Sequence, residues 1–229
     1  MSIAVITFPG SNCDRDCVRV ASQANTMPVV SVWHKALELP AEAKAVILPG
    51  GFSYGDSLRA GAMAAHSPVL AAVKRFADRG GPVLGICNGF QILCEAELLP
   101  GALLPNEGGL FQCELVDLEV VGGGKGLLAG YETGQQIQLP IAHAEGNYFA
   151  DEQTLKMLES EGRVALRYEL KHADGRSAIN GAERAIAGIF GGPQNNVLGL
   201  MPHPERRAEM RLGGTDGLAM MAALGNFVS

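Results

Sequence analysis

The chain has 229 residues, of which 47% are hydrophobic and 18% charged, and its 18 basic against 24 acidic residues give a net charge of −6. A chain of this length buries about 70% of its unfolded surface in one large domain, and this composition excludes disorder. The charge has the wrong sign for binding a phosphate backbone, with no local Lys/Arg cluster to offset it, so nucleic acid is excluded as a partner.

No apolar stretch approaches the roughly 18 residues of a membrane span, so no membrane partner is expected either. The opening "MSIAVITFPG" lacks the basic start and small-residue cleavage site of a secretory signal, so the expected location is cytoplasmic. There the five cysteines, at 13, 17, 87, 94 and 113, stay reduced thiols.

Apolar runs at Ile3 to Phe8, Val29 to Trp33 and Ala45 to Leu48 alternate with helical stretches, the rhythm of parallel βαβ units. A helix is predicted over Pro68 to Asp78, where Leu70, Val73 and Ala77 recur at helical spacing, and a fourth run, Val83 to Ile86, follows it. The fold class is therefore α/β: a doubly wound, mainly parallel sheet with helices on both faces. Ligands of such sheets sit beyond the carboxyl ends of the strands. Two of those ends are glycine-rich, "VILPGGFSYGD" (46–56) and "VLGICNGF" (83–90).

Residues 107 to 148 read instead as antiparallel strands with glycine-rich turns, a β-rich elaboration. Within them "VVGGGKGLL" fails as a phosphate loop, because the first glycine position of that pattern holds Glu119 and the position after Lys125 holds Gly126. A polar helix over 151–161, a strand over 163–169, the strands "AIAGIF" and "NVLGLM", and a helix from Asp216 to Phe227 complete the chain. No repeat or linker interrupts it, so residues 1–229 are expected to form a single domain.

Cys87 carries the chemistry. Gly85-x-Cys87-x-Gly89, after an apolar run and ahead of a helix, is the cysteine form of the nucleophile elbow, which needs small neighbours because the turn is strained and the elements pack closely. The free N–H groups of the following helix favour the thiolate and can meet a developing oxyanion. For Cys94 and Cys113 burial in the core suffices. Cys13 and Cys17 share a helix face as two metal ligands would, but no second pair completes a set of four, so no metal is expected.

A thiol nucleophile needs a base, and the base an orienting group. His203 in "MPHPER" lies between two prolines that keep the segment stiff and extended, so Glu205, two residues on, is placed to hold the ring. At the third strand end, the glycines Gly50 and Gly51 allow close backbone approach, and the Gly51 N–H pairs with that of Asn88 as a two-donor oxyanion hole.

These motifs resemble a known family. "GICNGFQIL", "MPHPE" and "LPGGFSYGD" resemble the class I, triad-type glutamine amidotransferases. "FPGSNCDRD", "GGFSYGDSLRAGAMAA", "NEGGLFQCEL" and "PIAHAEGNYF" are similar to the branch that serves as glutaminase of phosphoribosylformylglycinamidine synthase. The resemblance implies a flavodoxin-like amidotransferase fold, Cys87 as nucleophile, His203 as base and acid, and Glu205 as its orienter. It implies Gly51 and Asn88 as oxyanion donors beside Gly50, Gln91 near the bound glutamine, and His143 and Glu145 lining the site. Its substrate would be L-glutamine. Its partner would be a synthetase subunit for formylglycinamide ribonucleotide, with or without a small bridging subunit, and that partner rather than this chain would hold ATP and Mg. Two rivals keep the fold: a cysteine-elbow protein of the stress-response and deglycase kind, in which a C-terminal His-x-Glu is not expected, and a glutamine-sensing subunit that binds without turnover.

Overall fold

The computed structural model describes residues 1–227. Its first strands are β1 (Ser2–Thr7), β2 (Val29–Trp33), β3 (Ala43–Leu48) and β4 (Val83–Ile86). The helices between and after them are α1 (Asp14–Ala24), α2 (Ala62–Ala65), α3 (Pro68–Asp78) and α4 (Asn88–Glu95). There follow β5 (Ala102–Leu104), β6 (Gln112–Val120), β7 (Gln136–His143), β8 (Asn147–Phe149), α5 (Glu152–Ser160) and β9 (Val164–Tyr168). The chain closes with β10 (Ile186–Gly191), β11 (Val197–Leu200) and α6 (Leu218–Asn226).

Nine strands form one sheet in the order β2-β1-β3-β4-β11-β10-β9-β6-β7. The pairs from β2 to β11 are parallel, and those from β11 to β7 antiparallel. The β-rich segment predicted from the middle of the sequence thus extends the main sheet; only β8 leaves it, pairing with β5 in a small sheet of two strands. β4 and β11 are buried at every residue, and β1 and β3 nearly so, which marks strands covered on both faces. Edge strand β2 is only partly covered. The polar helix predicted over 151–161 forms as α5, its N-terminus capped by the Asp151 carboxylate, which accepts the Thr154 N–H at 2.7 Å.

Glycines let α4 lie flush on the centre of the sheet. Gly85 of β4 stands in register with Gly199 of β11. A Cβ at Gly199 would come within 2.2 Å of the Phe90 ring, one at Gly85 within 2.4 Å of Leu93, and one at Gly89 within 2.0 Å of the Leu48 carbonyl. The helix therefore sits where only hydrogen fits, and its N-terminus is fixed over the carboxyl ends of β3, β4 and β11. Among the described residues no helix is long and apolar enough to cross a membrane.

Candidate active site

Between β4 and α4, Cys87 adopts φ 51° and ψ −105°, a backbone conformation that costs a non-glycine residue energy and persists only when its surroundings enforce it. They do so on both sides. The Cys87 N–H donates to the Leu200 carbonyl at 2.8 Å, and its own carbonyl accepts the N–H groups of Phe90 and Gln91 at 3.0 and 3.1 Å. The thiol is 5% exposed and lies 3.7 Å from the Ala142 carbonyl oxygen.

His203 follows β11, and its N–H donates to the Pro140 carbonyl of β7 at 2.8 Å. The predicted extended segment stops there. His203 itself is extended, but Pro204–Arg206 turns as a short 3-10 helix, because proline is preorganised for a first helical position. That turn carries Glu205 back to the ring, with Oε1 2.7 Å from His203 Nδ1 and both side chains buried. With a carboxylate as its partner Nδ1 carries the shared proton, and Nε2 is buried without a hydrogen-bond partner among the described residues. Burial opposes a charged ring, but the Glu205 carboxylate, then Cys87 and Cys13, outweigh it and raise the His203 pKa well above its ordinary value.

Gly51 has φ +147°, and a Cβ there would lie 2.8 Å from Ser11 Cα; one at Gly50 would lie 2.7 Å from His203 Cε1. Both glycines are thus needed for the loop after β3 to pass between the β1 loop and the imidazole. Among the described residues the Gly51 N–H donates to no backbone acceptor, and that of Asn88, first in α4, has no intrahelical one. Gly51, Cys87 and His203 line one cavity of about 260 Å³ with Phe52, Phe111 and Arg206. A larger concavity, about 650 Å³, lies near the amino ends of β3 and β4, lined by Glu38, Lys44 and Arg75. It sets no nucleophile beside a base, and we assign no chemistry to it.

Gln91, His143 and Glu145 join the site through hydrogen bonds to and around the elbow helix. Gln91 Nε2 donates to the Glu145 carbonyl at 2.7 Å and its Oε1 accepts from Asn88 Nδ2 at 2.9 Å, while Asn88 Oδ1 accepts the Ser53 N–H at 3.2 Å. A hydrogen-bonded chain thereby ties the elbow helix to the loop that carries Gly51. Asn106 Nδ2 donates to the Leu110 and His143 carbonyls, which leaves Oδ1 to accept from His143 Nδ1 at 3.0 Å. Burial, then the neighbouring His203, lowers the His143 pKa to about 4, so that ring is neutral.

Asp56 was not singled out by the sequence. Its Oδ1 is buried without a partner, and burial, then the nearby Glu145 charge, raise its pKa from 3.8 to about 6. Because the folded chain binds this proton more tightly than the unfolded chain, stability falls as pH rises from about 4 to 6. Asp56→Asn is therefore expected to raise Tm at neutral pH, with a smaller gain near pH 4. Thermal melts at the two pH values check this, and equal gains would remove the titration from the explanation.

Cys13 also escaped the sequence, which read it only with Cys17 as one face of a helix. It precedes α1, is buried, and shares the cavity wall with His203. Its thiol donates to Asn12 Oδ1 and receives a hydrogen bond from Arg206 Nη2, each at 3.0 Å. Cys113 is not the core thiol expected from the sequence: it is exposed on β6 and lines the same cavity. Cys17 and Cys94 are ordinary core thiols; burial above all raises the pKa of both. Cys13, His203 and Glu205 place metal-type donor atoms within 4.8 Å of one another. The His203–Glu205 hydrogen bond and the Arg206 cation on the Cys13 sulfur already engage them, so the arrangement suits proton transfer better than metal ligation.

A thiol on a strained elbow, a buried imidazole–carboxylate pair and free N–H groups around one cavity suit acyl transfer. Residues 1–212 match the family model of the CobB/CobQ-like glutamine amidotransferase domain. Phosphoribosylformylglycinamidine synthase subunit PurQ of Novosphingobium aromaticivorans is 53% identical over 96% of this chain and 95% of its own length. The same subunit of Zymomonas mobilis is 53% identical over 98% of each chain. A chain of the solved PurLQS structure from Thermotoga maritima superposes with a TM-score of 0.86 at 39% identity, covering 98% of this chain and 97% of that one. The glutaminase domain of Trypanosoma brucei CTPS, at 13% identity and a TM-score of 0.62 over 100% of this chain and 95% of its own, shares the fold. With both the site and the whole length of the sequence in agreement, the chain belongs to the glutamine amidotransferase family, in the branch of the PurQ subunits of phosphoribosylformylglycinamidine synthase.

Proposed function

We propose that this chain hydrolyses glutamine at Cys87 and delivers the ammonia to a synthetase subunit that converts formylglycinamide ribonucleotide to its amidine. One observation carries the reading: the elbow thiol opens on the same cavity as His203, whose ring is held by Glu205. The His203–Glu205 pair favours an amidotransferase over an elbow protein of the deglycase kind, and a nucleophile with a base favours turnover over sensing.

The Cys87 thiolate attacks the side-chain amide carbon of glutamine. The Gly51 and Asn88 N–H groups receive the oxyanion, each such donor being worth about 2.7–4 kcal/mol. As the tetrahedral intermediate collapses, His203 gives its proton to the leaving nitrogen, and ammonia departs from a γ-glutamyl thioester. Water then attacks the thioester, His203 takes its proton, and glutamate leaves as the thiolate is restored. Glu205 keeps the ring in one tautomer throughout.

The chain has no phosphate loop around Lys125, so activation of the acceptor, with ATP and Mg, falls to the synthetase. Phe52, Leu58, Leu110 and Phe111 are exposed large apolar residues, and the Phe52 and Phe111 rings meet with centroids 6.5 Å apart on the cavity wall. Such a surface suits the docking of that partner. We read residues 1–229 as one amidotransferase domain, supported by a sheet that draws strands from both ends of the chain. Five free thiols fit a reducing cytoplasm.

Free hydrolysis wastes glutamine, so the isolated chain is expected to be a weak glutaminase with the Gly50–Gly51 loop imperfectly set until the synthetase docks. A misplaced oxyanion donor lowers the rate by roughly 10²- to 10³-fold. The test compares kcat for glutamine hydrolysis by the isolated chain and by the complex with its synthetase, nucleotide and acceptor. Equal values contradict gating, and no hydrolysis in either contradicts the proposed function.

A further inference from the structure

We propose that His34, Tyr54 and Ser67 are positioning residues that set the Gly51 N–H for the oxyanion, an inference that rests on the roles given above to Cys87 and Gly51. None of the three lines the catalytic cavity.

The loop after β3 is held in an unfavourable shape. Tyr54, Asp56 and Leu58 are non-glycine residues at positive φ, 54°, 53° and 71°. Left-handed backbone at bulky residues costs energy and persists only where the surroundings over-determine it. For Tyr54, three residues after Gly51, the restraint is visible at both ends of the residue. Its N–H donates to the Pro9 carbonyl at 2.7 Å. Its hydroxyl lies 2.9 Å from His34 Nδ1 and 3.4 Å from Ser67 Oγ, and Ser67 Oγ lies 3.2 Å from the same Nδ1, which closes a triangle.

The far side of the triangle is rigid. The His34 N–H donates to the Thr7 carbonyl at 2.9 Å, and its carbonyl accepts the Val69 N–H at 3.2 Å, so its backbone is fixed between β1 and the first turn of α3. The ring is 4% exposed and packs edge-on against Trp33 and Tyr54. Ser67 supplies the most telling detail. Serine at a helix N-cap ordinarily accepts an N–H of the first turn, yet Ser67, the N-cap of α3, makes no such bond and turns its hydroxyl to His34 and Tyr54.

The segment from Gly51 to Tyr54 is thus clamped at four points: Phe52 N–H on the Gly10 carbonyl at 3.0 Å, Ser53 N–H on Asn88 Oδ1 at 3.2 Å, Tyr54 N–H on the Pro9 carbonyl at 2.7 Å, and the Tyr54 hydroxyl on the triangle. The first three hold the backbone to the β1 loop and the elbow helix. The fourth holds the side chain and opposes relaxation of the strained Tyr54, which would swing the preceding peptides and carry the Gly51 N–H off the oxyanion.

The test uses the full chain with its synthetase and the variant Tyr54→Phe, which removes only the hydroxyl. The expected result is a fall of about tenfold in kcat for glutamine, less than the roughly 10²- to 10³-fold loss of a whole donor, with KM nearly unchanged. Affinity for glutamate γ-semialdehyde, which closes a tetrahedral hemithioacetal on Cys87, should fall by a similar factor. Alkylation of Cys87 by iodoacetamide, which develops no oxyanion, should keep its rate. Should Tyr54→Phe not fold, Ser67→Ala is read by the same three measurements, with a smaller effect in the same pattern. Unchanged kcat and aldehyde affinity overturn the proposal, as does an equal loss of alkylation rate, which would mean general disorder of the site. Wild-type turnover beside an unaffected variant sinks only the positioning role, whereas absence of wild-type turnover in the complex sinks the amidotransferase reading with it.

Discussion

Cys87→Ala is expected to abolish glutamine-dependent amidation by the complex while synthesis supported by free ammonia continues. The loss should be at least about 10⁴-fold, the scale seen when a nucleophile is removed from a triad. No neighbouring thiol substitutes for it. Cys17 and Cys94 are buried in the core, and their replacement by Ala costs packing, on the order of 1–3 kcal/mol. Cys113 also lines the cavity, but it stands on strand β6 rather than on an elbow ahead of a helix. Cys13 is committed to Asn12 and Arg206, so Cys13→Ala leaves the nucleophile in place and removes only support behind the imidazole. Glutamine use retained by Cys87→Ala would falsify the assignment, and the ammonia-supported reaction in the same preparation shows whether the complex has assembled.

His203→Ala should approach the same defect, since thiolate formation and protonation of the leaving ammonia both pass through that ring. Glu205→Gln separates positioning from proton transfer. The side chain is fully buried, so the amide keeps its volume but loses the charge that holds the Nδ1 proton and stabilises the imidazolium. A loss of about 10²- to 10⁴-fold in kcat with substrate binding retained is the expected outcome. The pH profile carries an independent sign. The Glu205 carboxylate is the largest of the contributions that raise the His203 pKa, and burial opposes it. Without the carboxylate burial remains, so the limb of the kcat/KM profile that reports His203 should move to lower pH. An unmoved limb would detach Glu205 from the ring, and full activity in His203→Ala would remove His203 from the mechanism.

The features legible in the sequence are those written in neighbouring residues. The apolar runs of β1, β3 and β4 have no polar alternation because both faces are covered, and the glycines flanking Cys87 announce the close packing of α4 on the sheet. The His203–Glu205 pair was legible for a reason that proved partly different: proximity follows from the turn at Pro204, not from an extended strand. What escaped is contact between distant segments. Arg206 meets Cys13 across 193 positions, and Tyr54 meets His34 across 20, with no local pattern to mark either pair. Gln91 and Glu145 show a related limit: the resemblance sets them at the glutamine site, but no local pattern reveals that Gln91 Nε2 donates to the Glu145 backbone carbonyl while its Oε1 accepts from Asn88. The antiparallel half was recognised as strands, but periodicity says nothing about which sheet a strand joins, and β6, β7 and β9 joined the main one.

The most direct measurement is acid quenching of the complex during turnover of isotopically labelled glutamine, followed by mass spectrometry of its peptides. A labelled γ-glutamyl group on the peptide that carries Cys87, absent from the Cys87→Ala complex, is the predicted result. Turnover with no acyl-enzyme when deacylation is slowed, or the label on the peptide of Cys13 or Cys113, would contradict it.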